Sequence, residues 1–330
     1  MTTTNANNIG TVKGRHHSFL LFLQGYGPVM LVCFLVAFLA LLNPAFVKPG
    51  NLLNIGIQLV PIAVVAVGTM FVLMSGAIDL TAGVGVSLGA VVIAWFFKQT
   101  GSPWISVAAA ALSTLSIGVV NAFLITRMRL NPVITTLVMM TIVEGVVLIV
   151  TTLTGSFVDV SSPLFLFISR GAPGGIPFLF YFLGLFYLLG WVVLERTKVG
   201  AYTLAIGSNE NAARNSGISI NLYRSLPFLL SGISMAVGSV VLVSRVLWIS
   251  PGLGGTPLLL DVIAANIIGG VRVSGGRGRI WGVLVGSLVV AIINNAVNII
   301  KIGPQWYDGF KGLIIIVMIV VNRLLEDVRK

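Results

Sequence analysis

The sequence predicts an all-α integral membrane protein of about ten transmembrane helices. Apolar residues make up 57% of the 330-residue chain and charged residues 9%, against about 45–50% and about 25% in soluble domains. Mean hydropathy is +1.04. The apolar residues fall mostly in runs near the roughly 20 residues that a hydrocarbon core demands, and the basic residues gather at alternate ends of those runs.

Residues 1–18 are polar and basic (Lys13, Arg15), with no small-residue cleavage site soon after a short apolar core, and are expected to remain as an uncleaved cytoplasmic tail. A membrane domain is expected over residues 19–323. Its first span is expected at 19–42, with NPAFVKPGN (43–51) as an exit loop, and its second at 55–74, where Pro61 requires neighbours to satisfy the carbonyl it frees. After the break SGAIDLTAG (75–83) come a short third span at 84–97 and a fourth at 104–126. Arg127 and Arg129 mark a turn. The fifth span, 133–153, contains Glu144, which is costly in lipid and so is expected to face protein or a water-filled path. A loop rich in Gly, Pro and Ser (154–176) precedes the sixth span, which runs to Leu194. Beyond a polar interruption at 195–224, spans are expected at 227–249, 258–268, 280–300 and 307–322. The run at 258–268 is too short as written, so either its ends extend or it is a broken helix between PGLGG and IIGG. Residues 324–330 form a second cytoplasmic tail.

The interruption at 195–224 is the longest polar stretch between apolar runs. Ser208 or Asn209 can cap a helix there, Glu210 places negative charge on its first turn, and Gly217 supplies a left-handed stop. About two turns of helix result, too few to persist alone in water. Glu210, Ala213, Arg214 and Gly217 fall at i, i+3, i+4 and i+7, a stripe suited to a partner's groove, while a solvated loop between helices is the plainer reading.

The segment TKVGAYTLAIGSNENAARNSGI resembles the cytoplasmic coupling loop of ABC-importer permeases, most closely those of the ribose, xylose, arabinose and galactose type within the branched-chain amino acid/sugar permease superfamily. In that family the short helix sits in a cleft of the ATP-binding subunit. Importer permeases more broadly carry Glu-Ala-Ala-x-x-x-Gly there; this chain has Asn211-Ala212-Ala213-x-x-x-Gly217, with Asn in the place of Glu. The resemblance implies that Ser208, Glu210, Asn211, Ala212, Ala213, Arg214 and Gly217 contact the ATPase. SGAIDLTAG is similar to a Gly-x-Ile-Asp-Leu-Ser-x-Gly stretch of the same family, and GGVRVSGGRGRIWG (269–282) to its Gly-Gly then Gly-Gly-Arg-Gly segment. The latter lacks the Gly-Lys-Ser/Thr ending of a phosphate-binding Walker loop, and no Gly-Lys pair occurs in the chain. No cofactor is therefore expected on this chain; ATP belongs to the partner subunit. The resemblance implies a ten-helix permease fold in a bacterial inner membrane, partnered by the cytoplasmic ATP-binding subunit, a second permease copy or paralogue, and a solute-binding protein that delivers a sugar.

With both termini cytoplasmic, the only basic residues outside are Lys48, Lys98, Arg170 and Lys301, and Arg245 and Lys311 lie within spans; the rest of the 20 are cytoplasmic. This asymmetry, set against membrane lipid, accounts for the net charge of +11 without nucleic acid as a partner. Trp95, Trp104, Trp248 and Trp306 fall at outer ends, and Trp191 and Trp281 near inner ones, as an aromatic belt requires. Spans two to five and seven to ten both end with Asn-Ala, an apolar stretch and Pro (121–132 and 295–304), which suggests an inverted repeat.

Candidate residues for the translocation path are Asp79, Glu144, Arg245, Asp261, Asn294 and Asn298. Arg245 needs an acidic or carbonyl partner, for which Asp261 or Glu144 is available. Asn294 and Asn298 share a helix face and offer neutral hydrogen bonds, either to a hydroxylated solute or between helices. Asp79 reads as a capping carboxylate or as part of a gate. The chain offers no Ser-His-Asp, Cys-His or paired-carboxylate arrangement, which speaks against an enzyme. Cys33 stands alone, and His16 and His17 lack neighbours at metal-ligand spacing. The competing transport reading is an ion-coupled carrier using Asp79, Glu144 and Asp261 as cation or proton sites. The solute itself is not legible.

Overall fold

The structure, a computed structural model, describes residues 32–155, 158–249 and 252–299, with positions 309, 312 and 313 beyond them. Among the described residues seven helices are long and apolar enough to cross a membrane. They are α2 (Pro49–Met74), α3 (Ala82–Thr100), α4 (Pro103–Ala122), α5 (Pro132–Thr154), α7 (Phe178–Arg196), α10 (Ile220–Val246) and α12 (Ile280–Ile299). Two shorter apolar helices, α1 (Val32–Leu42) and α11 (Gly255–Ile268), complete the apolar set. The chain is an all-α membrane protein. The expected tenth span at 307–322, the first half of the first span, both tails and the end of the second repeat copy lie outside the described residues.

Where helices begin follows from local chemistry. Asn131 accepts from the amides of Val133 and Ile134, and Ser102 from that of Ile105, each ahead of a proline that is preorganised for the first turn. The expected exit loop at 43–51 is instead a short 3-10 turn, Pro44–Val47, and α2 begins at Pro49, six residues earlier than expected. Similarly, α10 starts at Ile220 and carries Pro227 inside it. The third span is longer than expected and ends where Gly101 takes a left-handed conformation, φ +65°.

The core is organised on α2. The apolar window of α2 is 89% buried, whereas those of α5 and α7 are each 22% buried, so α2 is central and α5 and α7 are peripheral. In lipid, close packing replaces hydrophobic drive between helices, and small residues permit it. α10 packs on α2, α3 and α4 in this way. A Cβ on Gly89 would lie 2.5 Å from Ser239 Oγ, and one on Gly118 would lie 2.5 Å from the Phe228 carbonyl.

α11 settles the question left by the short eighth run: it is a broken helix. Its 14 residues rise about 21 Å, less than the roughly 30 Å of a hydrocarbon core. Its non-helical entry, half-buried at Leu253, Gly254 and Gly255, is held by contacts from α3, as irregular backbone within a membrane protein requires. Ser87 Oγ accepts from the Gly255 amide at 2.7 Å and donates to the Leu253 carbonyl at 2.8 Å, while Gly83 leaves room for the Gly255 carbonyl. The segment expected as a plain loop at 154–176 also has structure. Strand β1 (Val158–Asp159) pairs antiparallel with β2 (Trp248–Ile249), and helix α6 (Pro163–Arg170) packs on α10 and α7.

Candidate functional site

The polar interruption folds into two helices in series. Thr197 caps α8 (Lys198–Ser208) through the Val199 amide at 3.2 Å, and Asn209 caps α9 (Glu210–Asn215) through the Ala212 amide at 3.0 Å. Asn209, not Ser208, is the cap of the short helix. Ser208 ends α8, and its hydroxyl donates to Leu204 O at 2.8 Å and Gly276 O at 3.4 Å. Gly217, φ +78°, stops the turn that follows α9.

The expected partner stripe on α9 divides in two. Ala213 is buried against Ile206 and Ile220 and so holds α9 to its own chain. Asn211, Ala212, Arg214 and Asn215 are exposed. Glu210 lies between them, accepting from Arg214 at 2.7 Å and Arg224 at 2.9 Å. Burial pushes the Glu210 carboxyl up, but Arg224 and Arg214 outweigh it and leave it below its ordinary value.

Three glycine-bearing segments converge beneath this pair of helices. The Gly276 amide donates to the Met74 carbonyl at 2.9 Å, joining the α11–α12 loop to the end of α2. Gly207, in the last turn of α8, fills the remaining space: a Cβ there would collide with the Met74 carbonyl and lie 2.6 Å from the Gly276 nitrogen. A Cβ on Gly275 would lie 2.9 Å from Gly207 O and from Gly76. The end of α8, the α2–α3 break and the α11–α12 loop are therefore in backbone-to-backbone contact. Sequence reading had singled out all three segments separately; Gly207 as their meeting point was missed.

Asp79 is buried in the α2–α3 break. It accepts from the Thr81 amide at 2.9 Å, from the Thr81 hydroxyl and from Ser231 Oγ at 2.7 Å, and Asn121 Nδ2 donates onward to Thr81 Oγ1 at 3.2 Å. Burial raises its carboxyl above the ordinary value despite the hydrogen bonds from Thr81 and Ser231. It thus joins the break to α10 and α4, the latter through Thr81. Asn294 Nδ2 donates to Asp261 Oδ2 at 3.0 Å, and Asn298 Nδ2 to Asn294 O at 2.9 Å, so these three candidates form one chain of contacts between α11 and α12. Asn51 and Asn295 exchange reciprocal amide bonds at 3.0 Å, a pairing between α2 and α12 that sequence spacing does not report. Arg245 sits in the last turn of α10, exposed. Glu144 lies midway along α5 with its side chain exposed on this chain, not turned into this chain's own core. A uniformly apolar helix gives no sequence cue to which face is buried, which is why its direction was not legible.

The chain matches the family described as "Branched-chain amino acid transport system / permease component" over residues 51–319. It belongs to this family. The permease is 31% identical to the ribose import permease protein of Escherichia coli (strain K12) over 316 residues, 94% of this chain and 98% of that one. It is 31% identical to the L-arabinose transport system permease protein of the same strain, over 100% of this chain and 99% of that one. It is also 31% identical to the L-arabinose ABC transporter permease protein of Azospirillum brasilense, over 92% and 89%. No solved structure matches the chain. The permease is a multi-pass inner membrane protein and a transport component rather than an enzyme.

Proposed function

We propose that this permease is the membrane-spanning subunit of an ATP-binding-cassette importer for a sugar or related polyol, with α9 as its contact to the ATP-binding subunit. The observation that carries this reading is the construction of α9. It presents Asn211, Ala212, Arg214 and Asn215 outward, is pinned by Glu210, and follows directly on a helix locked by Gly207 against two other membrane segments. A push on such a surface is delivered to the α2–α3 break and the α11–α12 loop rather than absorbed locally, which is what alternating access needs. ATP is bound by the partner, and both termini lie with α9 on the cytoplasmic side. A second permease copy, or a paralogue, completes the path. The sugar, handed over by a solute-binding protein outside, crosses along residues drawn from Asp79, Glu144, Arg245, Asp261, Asn294 and Asn298. Relatives named for ribose and L-arabinose support a sugar.

The test is co-purification with a candidate ATP-binding subunit, followed by ATP hydrolysis in liposomes with solute-binding proteins loaded with different sugars. Stimulation by one loaded protein, lost when Ala212 is replaced by Asp, is the expected result. Uptake by the chain alone, driven by a proton or sodium gradient, would overturn the reading.

A further inference from the structure

Beside α9 lies a cavity of about 730 Å³ whose walls carry three arginines, Arg129, Arg214 and Arg224, against the single carboxylate of Glu210. Glu210 is already shared between Arg214 and Arg224, so among the described residues three guanidiniums of the lining face one carboxylate. Nε of Arg224 is buried with no hydrogen-bond partner among the described residues. The mouth of α10 opens into the same space through Ser219, Ile220 and Asn221, and Ser219 makes no side-chain cap to that helix's first amides. The positive end of a 27-residue helix thus adds to the guanidinium field. Arg129 holds its place at φ +57°, a left-handed conformation that a glycine would adopt without strain. The lining also includes apolar Ile125 and Leu130; Leu130 and, beside it, Met128 are exposed.

We propose that this cavity binds the phosphate of an anionic phospholipid headgroup, with the acyl chains lying against Met128 and Leu130. Cationic donors and an uncapped helix end select phosphate, and these exposed apolar side chains select a phosphate attached to a lipid over a free one. The proposal rests on the reading above only in placing α9 at the cytoplasmic leaflet. A headgroup there lies against Glu210, Arg214 and Arg224, so membrane composition sets how firmly α9 is held.

The experiment uses the detergent-purified chain with no ATPase present, so its outcome is independent of whether the chain couples to one. Native mass spectrometry counts retained lipid after incubation with phosphatidylglycerol or phosphatidylcholine. Phosphatidylglycerol is expected to be retained more tightly, by on the order of tenfold or more, since each arginine near a negative headgroup is worth about fivefold in affinity. Arg129→Gly relieves the left-handed backbone while removing a guanidinium, so the variant is expected to melt no lower than the parent and to bind phosphatidylglycerol about fivefold more weakly. Arg224→Gln provides a second loss at a different wall. Equal retention of the two lipids, or retention unchanged in both variants, overturns the proposal. Displacement of the lipid by inorganic phosphate at equal concentration assigns the site to free phosphate and overturns the lipid reading. Retention of neither lipid, with no binding of inorganic phosphate, overturns the proposal as well.

Discussion

The amide of Gly276 donates to the carbonyl of Met74 at 2.9 Å, closing the α11–α12 loop onto the end of α2, and Gly207 of α8 is wedged against both. Atoms facing Gly207 belong to backbone, so no side chain can swing away from an added methyl. Gly207→Ala is expected to lower stability by about 1–3 kcal/mol, the usual cost of overpacking, and to reduce stimulation of ATP hydrolysis by loaded binding protein. Gly217→Ala is the contrast. Its added Cβ meets nothing but must adopt φ +78°, a local cost of about 1–2 kcal/mol. Thermal melting of the two variants, alongside stimulated hydrolysis, checks the pair. If Gly207→Ala melts and couples like the parent, the three segments do not move as one.

The Glu210 pairs give a pH dependence with a defined sign. Because Arg224 and Arg214 hold the folded-state carboxyl below its ordinary value, the stabilisation is fully present above the unfolded carboxylate pKa, about 4.3. It is lost as pH falls through the lowered value. Pairs this exposed are worth about 0.2–1 kcal/mol, so the effect is local. Amide exchange across 210–216 is expected to stay slow relative to Glu210→Gln at neutral pH and to converge with it in acid. Identical exchange in parent and variant at neutral pH would show that the two arginines do not hold α9.

How much was legible depends on which force set each feature. The starts of α4 and α5 were close to the mark because Ser102-Pro103 and Asn131-Pro132 write cap and first turn into adjacent positions. Helix α10 begins ahead of its expected start at 227 because Pro227, a residue that ordinarily marks a helix boundary, sits inside it. The short helix α9 was anticipated from its cap, acidic first turn and glycine stop, yet α8 was not, because Gly200 and Gly207 interrupt its sequence pattern. Each makes room for a carbonyl: Gly200 for that of Leu194, six residues before it, and Gly207 for that of Met74. The partner of Gly207 lies far away in sequence, and no local pattern reports it. For the same reason Ser231 was not linked to Asp79, nor Asn51 to Asn295.

The reciprocal amide pair of Asn51 and Asn295 tests how far the start of α2 depends on α12. Interhelical polar contacts in membranes average about 0.6 kcal/mol and reach about 1.7 in double-mutant cycles. Because both amides are satisfied in each direction, the coupling energy from Asn51→Ala, Asn295→Ala and the double variant is expected in the upper part of that range. A coupling energy indistinguishable from zero would mean that the pair is solvated in the membrane and that α12 is held by packing alone.

Glu144 poses the sharpest energetic problem in the bundle. It lies midway along the 23-residue α5, exposed beside Ile142 and Leu148, and makes no hydrogen bond or ion pair among the described residues. A carboxylate at the centre of a spanning helix costs about 2.5–3.5 kcal/mol on insertion scales. Facing lipid, it would be a pure liability. Facing a water-filled path against a second copy, it would instead be solvated and able to accept from sugar hydroxyls. Glu144→Leu is therefore expected to insert and fold at least as well as the parent but to lose uptake in the assembled transporter by about tenfold or more, near 1.4 kcal/mol of barrier. Glu144→Gln, which keeps a polar group, is expected to fall between them. A cysteine at Thr141, one turn away on the same exposed face, placed in a Cys33→Ser background, should react with a membrane-impermeant maleimide in the complex. If Glu144→Leu transports as well as the parent and that cysteine stays unreactive, α5 faces lipid and the path runs elsewhere.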